Sequence, residues 1–424
     1  MRGHKKMRIS DIVNKTYKDV NEMARFDLKS LSKKPKWYLQ LVAWVLSFPE
    51  TFFVKSKIIK RNMDSLEGPY ILLCNHNSFL DFKVATRAIF PKRANYIVAI
   101  DGFIGREWLL RNVGGVCTRK FVPDYSIVKQ IKNTLEVNKV VCEIYPEARY
   151  SLVGTNSELP ESLGKLVKML KYPVVTLISH GHHLRQPFWN LKKRKVQTKS
   201  YLTQILTQND LVEKDVEEIN EIINGAFYYD DYRYQFDNNI NIKVPFRAEG
   251  LHKVLYKCPY CYSEFMMESK GIKLRCNSCH TEHEMDERGQ LHAIGHKTIY
   301  SHIPTWFEWQ RAMVRQEIVS GKYKITQEVD IESLPNSKGF YRLKRGVLKH
   351  DINGFHLYNE DFSIKKPVMS SFGVHIEYDY FGKGDCISFS TINDTYYLYP
   401  IDQKYSVTKY HFAVEELYRL GKNN

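Results

Sequence analysis

The sequence predicts an α/β protein in which a mostly parallel sheet is flanked by helices, followed by a small cysteine-clustered region and a β-rich C-terminal domain. Three observations lead there. Short apolar runs alternate with helical patterns from about residue 68 to 185. Four cysteines stand in two Cys-x2-Cys pairs between residues 258 and 279. The tail beyond residue 320 alternates apolar and polar residues in the period of strands.

Taken in chain order, the first apolar stretch is Trp37 to Phe48, interrupted by Pro49 and Glu50 before TFFV. Its length corresponds to about 18 Å of helix, short of the roughly 30 Å of a bilayer core. Lys33, Lys34 and Lys36 precede it and Lys55, Lys57, Lys60 and Arg61 follow. Those flanks fit an interfacial anchor dipping into one leaflet, and a Trp-rich core helix is the competing reading.

Tyr70–Cys74, Tyr96–Ala99, Val140–Tyr145 and Val174–Ile178 read as buried strands. Ile127, Val128, Ile131 and Leu135 share one helical face, as do Leu163, Leu166, Val167 and Leu170. A further helix is predicted from Leu211 to Ile223, ended by Gly225. After the cysteines come an aromatic helix, Trp306 to Ile318, opened by Pro304, and strands in GVLKHDINGFHLY (346–358), VHIEYDY (374–380), ISFS and TYYLYP. A closing helix carries Tyr410, Ala413, Val414, Leu417 and Leu420 on one face, and strands followed by one helix suggest a PH-like sandwich. The predicted units are a membrane-associating region at 1–66, an α/β domain at 67–250, the cysteine region at 251–295 and a C-terminal domain at 296–424.

The net charge of +16 and the pI of about 9.2 suit an anionic partner: lipid headgroups, nucleic acid or a phosphorylated substrate. Cys74, Cys117, Cys142 and Cys386 are isolated, as expected of free thiols in a reducing compartment. The start, MRGHKKMRISD, lacks an apolar signal core, so the expected location is the cytoplasmic face of the cell membrane, peripheral or monotopic.

The chemistry concentrates in CNHNSFLD, residues 74–81. A buried strand ends at Cys74, and functional groups collect outside the carboxyl ends of strands in an open α/β sheet. A histidine that takes a proton from an alcohol needs a group fixing its tautomer, and Asp81 can serve His76 if the chain turns between them. Ser78-Phe79-Leu80-Asp81 is equally a capping box, in which Asp81 closes a helix N-terminus.

These residues resemble the first of four blocks of the glycerolipid acyltransferase family, with His76 and Asp81 in its catalytic positions. GGVCTRK (114–120) resembles the second, where glycines precede an arginine that helps bind the acceptor's phosphate; Gly114 and Arg119 match. YPEARYS (145–151) resembles the third, with Glu147 and Ser151 aligned, Arg149 displaced by one residue and Tyr150 where the arginine is expected. PVVTLISHG (173–181) resembles the fourth. The resemblance implies direct transfer of a fatty acyl group from acyl-CoA or acyl carrier protein to a lysophospholipid hydroxyl, with 1-acyl-glycerol-3-phosphate the expected acceptor. His76 would be the base and Asp81 its orienting partner. Asn75, Gly114, Arg119, Glu147, Arg149 and Ser151 would bind substrate. Another lysolipid or a glycerol-derived alcohol is the alternative acceptor.

Cys258, Cys261, Cys276 and Cys279 have the spacing of two metal knuckles, which predicts a closed, structural Zn2+ site resembling a zinc ribbon. A ribbon also raises a reading of another class, a nucleic-acid-binding protein. Against it, the ribbon carries Glu264, Glu268, Glu282, Glu284, Asp286 and Glu287, a poor surface for phosphates. His180, His182 and His183 are expected to line the substrate entrance, and Lys192, Lys193, Arg194 and Lys195 to form a solvated basic face that can touch lipid.

Overall fold

The computed structural model describes residues 12–64 and 66–422. The apolar runs form strands that join one seven-stranded sheet, ordered Lys57–Arg61, Lys199–Leu206, Val174–His180, Ile71–Cys74, Val141–Ile144, Ala94–Ala99 and Gly115–Thr118. Every pairing is parallel except that of Val174–His180 with Lys199–Leu206. Ile71–Cys74 is fully buried between two parallel neighbours, as a continuous apolar run requires. Lys57–Arg61, Gly115–Thr118 and Lys199–Leu206 lie outside the predicted strands. Two of them are sheet edges, and KIIKR, half covered, lacks the all-apolar signature of an interior strand.

The helix predicted over 211–223 is two helices, Gln208–Glu213 and Val216–Ala226. Asp215 starts the second, accepting from the Glu218 amide while Glu218 reaches back to the Asp215 amide. This capping box outweighs the continuous apolar stripe. Conversely, the N-terminal helix runs through Pro49, from Trp37 to Phe53, forgoing one backbone hydrogen bond.

The stretch before that helix is spent on the protein's own surface. Val13–Asn14 pairs with Tyr341–Arg342, Tyr17 stacks on Phe362 at 4.5 Å, and Val20 and Phe26 are buried. Of the expected 1–66 region, residues 13–26 are therefore engaged with the C-terminal part of the chain; residues 1–11 lie outside the described residues.

A four-stranded sheet carries the cysteines, ordered Leu291–Ala293, Glu282–Met285, Lys273–Cys276 and Met267–Lys270. The β-rich tail is present. Its sheet runs Ser363–Lys366, Gly354–Tyr358, Tyr341–Asp351, Ile325–Ser333, Thr395–Pro400, Cys386–Ser390 and His375–Glu377, and the helix Val407–Lys422 closes it. One apolar cluster joins Cys258, Leu274 and Leu291 through Trp306 and Val314 to Leu348, Ile387 and Phe412. The same cluster reaches Leu184 and Phe188 of the α/β sheet's flank, so the C-terminal sheet is packed against the site side of the molecule.

Candidate active site

Asn75 leaves the buried strand Ile71–Cys74 and is locked to its neighbour. Its side-chain amide donates to the Ser179 carbonyl at 3.0 Å, and its carbonyl oxygen accepts from the Ser179 amide at 2.9 Å. The next residue, His76, is thereby set at the carboxyl edge of the sheet. Its Nδ1 stands 3.1 Å from Asp81 Oδ2. The same oxygen accepts from the amides of Asn77 at 2.5 Å and Ser78 at 2.8 Å. Asp81 thus ties His76 to the turn that leads into the helix Leu80–Ala88. Only the Asp81 half of the expected capping box forms, since the Asp81 amide donates to the Ser78 carbonyl and not to its hydroxyl.

The other oxygen, Oδ1, accepts from Nδ1 of His182, which is fully buried. Burial drives the Asp81 carboxyl upward, yet His182 and His76 together hold it down at about 2. An ionised carboxylate only accepts, so both imidazoles donate from Nδ1 and carry their lone pairs on Nε2. The His76 side chain is 20% exposed. Burial pushes its pKa below the ordinary value and Asp81 opposes that, leaving a neutral base at neutral pH.

His182 corrects the expectation for the histidine-rich loop. It does not line an entrance but braces Asp81 from behind. His183 is also fully buried, where burial lowers its pKa to about 3. His180 stacks on Tyr234 at 4.8 Å. No spacing signal linked His182 to Asp81, since the contact spans 101 residues. Within the basic cluster, Lys192, Lys193 and Lys195 are exposed as expected, whereas Arg194 is buried and donates to the Arg247 carbonyl at 3.0 Å.

Of the expected substrate-binding residues, Glu147 and Ser151 are brought against His76, but as its scaffold. Glu147 is buried, and its two oxygens accept from the amides of His76 at 3.4 Å and Ser157 at 2.9 Å. Burial raises its pKa to about 7. Ser151 donates its amide to the His76 carbonyl at 2.7 Å and its hydroxyl to the Thr155 carbonyl at 2.6 Å. Gly114 ends the helix Glu107–Val113 at φ +107°, and a Cβ there would come within 2.4 Å of the Ala94 carbonyl. That excludes any other residue.

The two arginines depart furthest from expectation. Arg119 is buried and its guanidinium donates to the carbonyls of Leu334, Pro335 and Asn393 and to the Thr395 hydroxyl. Arg149 is paired with Glu415 of the closing helix, both side chains 2% exposed. C-terminal residues have taken both terminal nitrogens of Arg119 and one of Arg149, whereas Nη1 of Arg149 is buried without a partner among the described residues. Tyr150, standing where the family has an arginine, lies over the His76 ring with centroids 4.0 Å apart, and Tyr145 flanks the same ring at 4.4 Å.

Away from this site, the sulfurs of Cys258, Cys261, Cys276 and Cys279 all lie within 4.8 Å of one another. Cys258 and Cys279 are 3.6 Å apart and Cys261 and Cys276 3.7 Å. A tetrahedral ion with bonds of about 2.3 Å needs sulfur pairs about 3.8 Å apart. The donor set fits such a metal.

Residues 37–180 match the family model described as Acyltransferase, a span that contains His76 and Asp81. Among solved structures the chain is similar to the crystal structure of the 1-acyl-sn-glycerophosphate (LPA) acyltransferase, PlsC, from Thermotoga maritima. That similarity has 13% identity, covers 45% of this chain and 79% of that one, and has a TM-score of 0.35. No curated protein matches the chain.

Proposed function

We propose that the protein is an O-acyltransferase of the membrane surface, moving a fatty acyl group from an acyl thioester to the hydroxyl of a lysophospholipid. The observation that carries this is the His76–Asp81 pair, held at 3.1 Å with Nε2 of His76 left as the base, inside the segment matched by the acyltransferase model. Nε2 takes the proton of the acceptor hydroxyl as its oxygen bonds to the thioester carbon. Asp81 supports the imidazolium. The tetrahedral intermediate collapses, the carbon–sulfur bond breaks, and the thiol leaves with the proton returned by His76. No acyl-enzyme is required. The donor is acyl-CoA or acyl carrier protein. Lysolipid acceptors include 1-acyl-glycerol-3-phosphate, although Arg119 is enclosed by carbonyls and the Arg149 charge is paired with Glu415 in this arrangement.

The membrane surface enters through the helix Trp37–Phe53, whose amphipathicity is inverted. Gln40, Ser47 and Thr51 are its buried residues, while Trp37, Leu41, Val42, Val45, Leu46 and Phe53 are exposed. A core helix would do the opposite. Phe79 and Trp108 are exposed as well. No helix among the described residues is long and apolar enough to cross a membrane. This supports a peripheral attachment, read as being at the cytoplasmic face. The cysteine cluster is read as a structural Zn2+ site in a ribbon, and the closing seven-stranded sheet with its helix as a PH-like sandwich.

The deciding experiment offers purified protein a panel of lysolipids with both donor types in vesicles, with products read by mass spectrometry. Acyl transfer by the wild-type protein and none by His76→Ala is the expected result. Full activity in a folded His76→Ala variant would remove the mechanism.

A further inference from the structure

Three groups cluster within electrostatic reach of His76, and the scaffold described above does not use them. Lys120, half-buried, is the last residue of the second block. Its ammonium stands 3.1 Å from Nε2 and 3.4 Å from Nδ1 of His375. His375 and Glu377 come from one short strand of the C-terminal sheet, with His375 Nε2 2.7 Å from Glu377 Oε1. Lys120 and Glu377 both act on the charge of the His76 ring, which places the cluster within electrostatic reach of the base. Asp101 acts on Lys120 and Glu377 in turn.

The cluster adjoins an aromatic path. Tyr150 covers His76 and touches Phe188 at 5.2 Å, and Phe188 lies 6.5 Å from His375. This path of rings links His76 to the polar cluster.

Charge decides which headgroup belongs there. Arg149 is already neutralised by Glu415, and Arg119 is enclosed by carbonyls. Among the described residues Lys120 has no carboxylate within ion-pair distance, so it is the ammonium left for an anion. One ammonium beside Asp101 is a weak host for a phosphomonoester of nearly two negative charges, whose recognition uses several guanidinium donors. A phosphodiester, with a single charge, is matched by the Lys120 ammonium. On the far side, burial raises Glu377 to about 8 although Lys120 opposes it. A carboxyl kept protonated for want of a counter-charge becomes an ionised partner when an ammonium arrives.

We propose that Lys120, His375 and Glu377 form the acceptor's headgroup site, and that it takes a zwitterionic lysophospholipid, in which a phosphodiester joins the glycerol to an amino alcohol. The C-terminal sheet is then a working part of the enzyme, supplying half of the specificity pocket to a base on the other sheet. The inference rests on the acyl-transfer reading of His76.

The test measures steady-state kinetics with lysophosphatidylethanolamine, lysophosphatidylglycerol and lysophosphatidic acid in neutral vesicles. The wild-type protein is expected to favour the ethanolamine lipid over lysophosphatidic acid by at least tenfold in kcat/KM. Lys120→Met should raise the KM for that acceptor about tenfold, as expected for one charge-assisted hydrogen bond, with kcat and donor KM within about twofold. Lys120→Arg should restore most of the loss, and Glu377→Gln should erase the preference for ethanolamine over glycerol. Equal melting temperatures guard against unfolding. Acyl transfer that prefers lysophosphatidic acid or the glycerol lipid, or an unchanged acceptor KM in a folded Lys120→Met, overturns this site and leaves the acyltransferase reading standing. Absence of acyl transfer to every lysolipid overturns both.

Discussion

The guanidinium of Arg149, on the loop behind His76, pairs with the carboxylate of Glu415, 266 residues later in the closing helix, and both side chains are 2% exposed. Arg311 reaches the same carboxylate. Burial works against the Glu415 charge, but Arg149, His411 and Arg311 hold its carboxyl far below the usual range. The active-site loop and the C-terminal helix are therefore fastened by charges that water does not screen. Removing one partner strands the other in a dry interior, so Glu415→Ala should cost about 3–5 kcal/mol, read as a lowered melting temperature. In a double-mutant cycle, Arg149→Met combined with Glu415→Ala should cost less than the sum of the two. The sign with pH follows from the depressed acid. The stabilisation is complete above the ordinary glutamate value near 4.5 and is lost as pH falls below it. Glu415→Ala should lack that part of the acid sensitivity.

The pH profile tests the base itself. His76 must be neutral to accept a proton, and burial holds its pKa below the ordinary 6.5. The acid limb of kcat/KM is therefore expected to have its midpoint below that value, with activity rising as the ring deprotonates. Asp81 is the group that raises His76 against burial. Asp81→Asn should push the limb lower still and reduce kcat about 10²- to 10⁴-fold, because an amide no longer fixes the Nδ1–H tautomer. A limb that moves upward in Asp81→Asn would contradict this assignment.

How far the sequence carried this site follows from the range of the interactions. The strand ending at Cys74 and the turn joining His76 to Asp81 are local, and periodicity with a five-residue spacing displays them. Interior strands with continuous buried runs are legible, whereas the interior Lys199–Leu206, buried only at alternate positions, is not. Edge strands such as Lys57–Arg61 are not, since a half-exposed ladder resembles a loop in composition. The partners of the arginines have no local signal, for a physical reason. A motif shows that a guanidinium is present but not what it faces, and Arg119 meets residues 215 to 276 positions away. His182, Glu415 and His375 reach the site from equally distant segments, without any local pattern to announce them.

His182 acts on the reaction through Asp81. Its Nδ1 donates to the Asp81 oxygen that His76 does not use. Replacing it with alanine leaves a buried carboxylate short of one donor, costing about 1.5–3 kcal/mol for a hydrogen bond to a charged group. The same change concentrates the Asp81 charge on His76. The acid limb of kcat/KM should therefore move upward, opposite to the Asp81→Asn shift. His182→Gln keeps an N–H donor and should recover part of both effects. A purely structural His182 would lower the melting temperature and leave the limb in place.

Membrane attachment is testable on the inverted helix. Val45 and Leu46 are 70% and 68% exposed, so charges there meet water and disturb no packing. Val45→Glu with Leu46→Glu should leave the melting temperature unchanged within about 0.5 kcal/mol. Binding to anionic vesicles in flotation should fall at least tenfold, through lost apolar burial and new repulsion. Acyl transfer to a detergent-dispersed acceptor should survive better than transfer to the same acceptor in vesicles.

Metal removal separates the cysteine cluster from the chemistry. The four sulfurs sit in pairs 3.6 and 3.7 Å apart, close to the edge of a tetrahedron around zinc, and Cys258 and Cys276 belong to the apolar cluster that continues into the C-terminal sheet. One zinc ion per chain is expected by elemental analysis after purification, and none in Cys276→Ser. Chelation should lower the melting temperature by well over about 5 °C, because the free energy of metal binding is part of the free energy of folding. The acid limb of acyl transfer should stay in place in whatever fraction remains folded, since all four ligand positions are filled by protein and leave no position for a reacting oxygen. Loss of activity that runs ahead of the loss of structure on chelation would overturn the structural role.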